Sequence, residues 1–317
     1  TDYFDGYITK IIGTQGHDTF ILADRTGLPD ISLEGGGGSN SVSYENLPND
    51  PNGYTFEVNQ STGEISVIGT ASFSGYKIDT ATIRSVKLTN NNDTFKGSFD
   101  SDVSVDGALG VNTLDYSNLN GINIIIDFQL RNVVKNDNKG NYHTDQFQNF
   151  QSVKTGDGDD KIVIVNSTIE GTGGAGDFDV GGGRNILDAS NISNYSMTVD
   201  YGNNYEASIG YTSDNGKPDI GAKNYKGFQE ISLGLGDSNV VNYTHNTTYE
   251  SNQLVFIGQV NVSNTFNFKG TGTQKFFVDA SNNENFFITT GGSQFLTTTY
   301  FNELSAAGTN YSLDIKA

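Results

Sequence analysis

Residues 156–162 read Gly-Asp-Gly-Asp-Asp-Lys-Ile, with the carboxylates Asp157, Asp159 and Asp160 inside four positions. A β-branched run, Ile162-Val163-Ile164-Val165, follows at once. Like charges this close repel, and glycine costs order unless its backbone freedom is used. Two chemistries answer the pattern. One is a polar turn whose aspartates accept backbone N–H bonds before a strand begins; the other is a cation held among the carboxylates. Glycines let carbonyl oxygens turn inward and aspartates add anionic oxygens, which suits calcium (Ca2+), with roughly six to eight oxygen ligands at loose geometry. Magnesium demands a stricter octahedron, and zinc prefers His or Cys.

The elements that position this turn recur. Thr14-Gln-Gly-His-Asp18-Thr-Phe20 aligns with Thr89-Asn-Asn-Asn-Asp93-Thr-Phe95 and with Gly156-Asp-Gly-Asp-Asp160-Lys-Ile162. A worn fourth copy is Gly234-Leu-Gly-Asp-Ser238-Asn-Val240. Ten residues before each anchor stands Ile8, Ile83, Phe150 or Phe228, and three further on Ile11, Val86, Val153 or Ile231. A second element follows each anchor by 19–26 residues: GGGGSNSVSY, GALGVNTLDYS, GGGRNILDAS and a degenerate Val262–Phe268 stretch, aligning Asn40, Asn112, Asn185 and Asn264. The units are 8–82, 83–149, 150–227 and 228–317, the last including a C-terminal cap or continuation. Thr1-Asp2-Tyr3 is no natural start, and the array begins with almost no preamble, so a mature product or a fragment of a longer chain is expected.

Between the anchors lie short apolar or alternating runs, such as YTFEV, EISVIG, INIIIDF and QLVFIG, broken by Gly, Asn and Asp. These predict an all-β protein with helix below about a tenth of residues. Units longer than a hairpin, with turn residues at repeating positions, favour a parallel β-solenoid or β-roll-like array; tandem β-sandwich domains are the competing fold.

The pattern GxGxDxU, with U a large apolar residue, is complete at Gly156–Ile162 and resembles the nonapeptide of RTX-type calcium-binding proteins. The wider pattern also resembles the surface and adhesin-like repeats flanking such motifs in large bacterial exoproteins. The resemblance implies calcium at Asp157, Asp159 and Asp160, with Asp18 and Asp93 in the corresponding loops. Asp177 and Asp179, in GAGDFDVGGG of the same unit, are expected to meet Asp157 and Asp160 from an adjacent coil. Three departures stand against that: the motifs are single rather than consecutive, Asn40, Asn112 and Asn185 replace the family's aspartate, and Ser238 replaces the fourth anchor.

With 37 acidic against 18 basic residues and a net charge of −19, the chain is a poor partner for nucleic acid or anionic membranes. It has no cysteine and hence no disulfide, no apolar run of about 18 residues that would span a membrane, and no visible signal peptide. His17, His143 and His245 lack metal spacing, and no nucleophile elbow or phosphate-loop motif occurs. Arg25, Arg84, Arg131 and Arg184 stand apart from acidic clusters, unlike a polysaccharide lyase or epimerase on a β-helix. The expectation is a non-catalytic, calcium-stabilised structural repeat protein at the bacterial cell surface: part of an S-layer, adhesin or secreted filament, joined to itself or to neighbouring repeats. The alternative is a protein that binds or modifies cell-surface polysaccharide, with Tyr201, Tyr205 and Tyr211 as a glycan platform.

Overall fold

A computed structural model describes residues 8–24, 28–69, 76–170, 176–202, 205–244, 254–279, 285–290, 293–301 and 303–316. Arg25 and His245 lie outside them. As expected, the chain is nearly all β, and one short helix, Asn166–Glu170, is found among the described residues. Strand alternation follows the side-chain period of two: along Tyr195–Tyr201, residues Tyr195, Met197, Val199 and Tyr201 are buried and those between are not. Contacts group the chain into two compact units, residues 1–126 with 130–157, and 127–129 with 158–317.

The first unit is built on parallel ladders. Lys10–Ile12 pairs Ile31–Glu34, which pairs Tyr76–Asp79. A second ladder runs Thr19–Ala23, Asn40–Asn46, Ile83–Lys87, Ser104–Asp106, Tyr142–Gln148. A third runs Thr55–Val58, Thr94–Lys96, Thr113–Asp115, Ser152–Lys154. Parallel pairing sets like on like, so Phe56, Phe95, Leu114 and Val153 form one buried column and Val42, Val86, Val105 and Phe147 another. Each fully buried side chain of this size contributes about 1.5–3 kcal/mol over leaving it exposed.

In the second unit one parallel ladder runs Lys161–Val165, Asn185–Asn191, Phe228–Ser232, Leu254–Ile257, Ser293–Thr299. Another runs Tyr195–Tyr201, Ser238–Thr244, Ser263–Asp279, Glu303–Lys316. Between them the core is aromatic: Phe266 lies 5.7 Å from Phe256 and 5.8 Å from Phe301, ring centre to ring centre.

The register explains the repeat. Phe20 pairs Val42, which pairs Val86. Phe95 pairs Leu114, which pairs Val153. Ile162 pairs Leu187, which pairs Ile231. In every case the apolar residue two after the anchor aspartate meets the one two after the aligned asparagine, and that one meets the apolar residue three into the next unit. One repeat is therefore two passes of the chain, one short and one long. The long pass carries an antiparallel excursion: Glu64–Ile68 in the first copy, Asn132–Asn136 in the second, Glu206–Ser213 in the third, Asn285–Thr290 in the fourth.

Candidate functional site

The anchors and the aligned asparagines are partners in space. The backbone N–H of Asp18 donates to Asn40 Oδ1 at 2.9 Å, that of Asp93 to Asn112 Oδ1 at 2.8 Å, and that of Asp160 to Asn185 Oδ1 at 2.9 Å. Each asparagine amide then donates onward. Asn40 Nδ2 reaches Gly37 O and Thr82 O at 2.9 and 3.0 Å. Asn112 Nδ2 reaches Gly107 O and Asn149 O at 2.8 and 2.9 Å, and Asn185 Nδ2 reaches Gly182 O and Gly227 O, both at 3.0 Å. In the fourth copy Asn239 Nδ2 donates to Asn264 Oδ1 at 3.0 Å, and Asn264 Nδ2 to Tyr300 O at 2.8 Å. All five asparagines are buried. Each closes its own turn and ties the preceding and following passes to it. An aspartate there would aim an anionic oxygen at two carbonyls, which explains why asparagine stands at these positions.

The aspartate side chains also accept amides. Asp18 Oδ2 takes the Thr14 N–H at 2.7 Å. Asp93, wholly buried, accepts from Tyr54 N, Thr89 N and Thr89 Oγ1 at 2.9, 2.9 and 2.7 Å. Burial pushes its pKa up, and the bonds from Thr89 and Tyr54 hold it back. In the first unit, exposed Asp157 accepts from Gly121 N at 2.5 Å. In the second, exposed Asp159 accepts from Arg184 N at 2.8 Å, while the Asp160 side chain is buried. Asp177 and Asp179 are exposed, flanking Phe178, which packs against Phe128 and Tyr225. Among the described residues no three His, Asp or Glu side chains gather as a metal site. The geometry at Asp157 and Asp159 is that of amide-capping turns, each using Oδ1. His17, in the first of these turns, fills the place of a polar turn residue: its Nδ1 accepts the Ser39 N–H at 3.0 Å.

The turn glycines serve close stacking. Gly110 has φ +95° and a Cβ there would lie 2.1 Å from Asn91 O; Gly183, at φ +86°, would meet Gly158 O at 2.1 Å.

Tyr201 and Tyr211 form no exposed glycan platform, because both are core residues. Tyr201 Oη donates to Phe228 O at 2.5 Å, and Tyr211 Oη lies 3.1 Å from Tyr225 Oη. Burial drives these phenols up, that of Tyr225 to about 12. Tyr205 is half-buried. A groove of about 600 Å³ nearby is lined by Asp200, Glu206, Ser208, Asn224 and Lys226. In the first unit Arg84 lines a groove of about 490 Å³ among Gly36, Ser39, Thr82 and Ser104. Arg184 pairs with Glu230 at 3.3 Å.

One cluster escaped sequence reasoning. Lys135 and Asp145 have no exposed side-chain surface, and Lys135 Nζ lies 2.7 Å from Asp145 Oδ2. Tyr116 Oη donates to the same oxygen at 2.8 Å. Burial lowers the Lys135 pKa and raises those of Asp145 and Tyr116. The only signal was phase: Lys135 shares the inward face of Val133, two residues earlier.

No family model matches the chain, and no curated protein matches it in sequence. Among the described residues no helix is long and apolar enough to cross a membrane. Fold and turns together define the class, a β protein of parallel ladders whose turns are closed by a repeating aspartate–asparagine bond.

Proposed function

We propose that this chain is a non-catalytic β-solenoid building block of a bacterial cell-surface layer, adhesin or filament. The observation that carries this reading is the aspartate-to-asparagine bond, repeated at Asp18, Asp93 and Asp160 with the same donor and acceptor. Buried polar groups satisfied identically in successive copies specify stacking, and stacked units extend by adding neighbours. Each anchor's backbone N–H is taken up in this closure, and the carboxylates of Asp18 and Asp93 accept amides of nearby turns, which supports a structural role for these two residues. Calcium belongs to the reading as a separate part, at the Asp157–Asp160 turn, where it would raise stability by binding only the folded chain. Negative-stain electron microscopy with and without calcium tests the assembly. Ordered sheets or fibres are expected, and a protein that remains monomeric at high concentration in both conditions refutes it.

The groove beside Asp200, Glu206, Asn224 and Lys226 favours a second reading, binding of a hydroxyl-rich polysaccharide. Retention on an immobilised cell-wall glycan, lost in Glu206→Ala, would support it.

A further inference from the structure

The buried pair in the first unit is placed for chemistry. Asn132–Asn136 runs antiparallel to Tyr142–Gln148, with Val133 opposite Asp145 and Lys135 opposite His143, so Lys135 and Asp145 are diagonal neighbours on the inward face. Lys135 Nζ is surrounded by Ser98 O at 2.8 Å, Ser101 O at 2.5 Å, Ser101 Oγ at 2.8 Å and Asp145 Oδ2 at 2.7 Å. Asp145 Oδ1 accepts the Val103 N–H at 3.0 Å and lies 3.2 Å from Ser101 Oγ. Asp102 and Asp100 are the other charges acting on the lysine, from the surface beside His143. With neither side chain exposed, a neutral amine and a neutral acid compete well with the ion pair. The amine's two hydrogens then go to the Ser98 and Ser101 carbonyls, and its lone pair is left facing the Asp145 carboxyl.

We propose that Lys135 and Asp145 condense to an intramolecular amide, cross-linking the two strands. The Nζ lone pair adds to Cγ of the protonated Asp145 carboxyl and forms the Nζ–Cγ bond. Charge developing on Oδ1 is held by the Val103 N–H and the Ser101 hydroxyl, in the manner of an oxyanion hole. Oδ2, which carries the acid proton and lies 2.7 Å from Nζ, takes a second proton directly from the amine while Tyr116 Oη donates to it, and the Cγ–Oδ2 bond breaks to release water. One water departs for each amide formed, and no oxidant, reductant or cofactor takes part. Contact between the reacting groups, fixed by strand pairing, replaces an otherwise slow bimolecular encounter.

The mass of the intact, denatured wild-type chain tests this directly. It is expected to fall one water below the mass its sequence dictates, and a Lys135→Arg chain to match its own sequence mass. Trypsin should cut after Arg131, Lys139 and Lys154 but not after Lys135, releasing one branched peptide that joins 132–139 to 140–154. Full sequence mass in aged, folded wild-type protein, with separate peptides ending at Lys135 and Lys139, overturns the proposal. A folded Tyr116→Phe chain that forms the bond many-fold more slowly supports the help Tyr116 gives the leaving oxygen; an unchanged rate removes Tyr116 from the step.

Discussion

Asn112 shows what one side chain does here. Its oxygen accepts from Asp93 N and its amide donates to Gly107, Leu109 and Asn149 carbonyls, all within 3.1 Å. Asn112→Ala should cost about 2–5 kcal/mol, since several buried groups lose partners at once. Asn112→Asp should cost at least as much, because the donor becomes an anionic acceptor facing carbonyls; urea unfolding of both variants measures the difference. Asp93 predicts a pH effect. Its folded pKa is raised above the unfolded value near 3.8, so its stabilising contribution is fully present below that value and declines as pH rises through the folded pKa. Asp93→Asn does not titrate, so the melting-temperature gap between wild type and variant should narrow with rising pH in the acid range. A gap that widens would reverse the sign assigned to burial. That Asp93 aligns with Asp18 and Asp160, and Asn112 with Asn40 and Asn185, was legible in the chain; that Asp93 and Asn112 bond each other was not, because spacing does not say which turn lies on which.

At the scale of strands, charged columns are as ordered as apolar ones. Glu57, Lys96, Asp115 and Lys154 stand in register on four parallel strands, alternating in sign. Lys96→Glu would place three acids in a row and should destabilise by about 0.5–2 kcal/mol, an effect that shrinks in high salt. Phe95→Ala, in the buried column beneath, should cost about 3–5 kcal/mol and be indifferent to salt. Comparing the two variants in low and high salt separates charge from apolar packing. The all-β class follows from offsets visible in the chain; the partners Phe20–Val42, Phe95–Leu114 and Ile162–Leu187 emerge only from the strand register. The antiparallel excursions were not legible either, since their strands use the same alternation as the ladders and differ only in direction.

For the molecule as a whole, the net charge of −19 makes self-repulsion a term in its stability. Any salt should raise the melting temperature by screening. Calcium at the Asp157–Asp160 turn requires more: a rise with calcium that exceeds that with sodium or magnesium at equal ionic strength, abolished by chelator. Equal rises would assign the whole effect to screening and remove the site. The acidity was legible as composition. The internal cation was not, because Lys135 is one lysine among many and only the fold places it at 0% exposure beside Asp145.

Bonds between parallel strands point along the direction in which the strands follow one another. A pull along that direction in the first unit would open the ladders one pass at a time. Ser85 to Ser104 and Thr94 to Thr113 are each 19 residues, whereas Leu114 to Val153 is 39, the differences of their own numbers. At roughly 3.4 Å per residue the lengths released are about 65 and about 130 Å. Force–extension traces should therefore show two stride lengths, not one. An amide between Lys135 and Asp145 would withhold residues 136–144 from the longer stride, shortening it by about 30 Å.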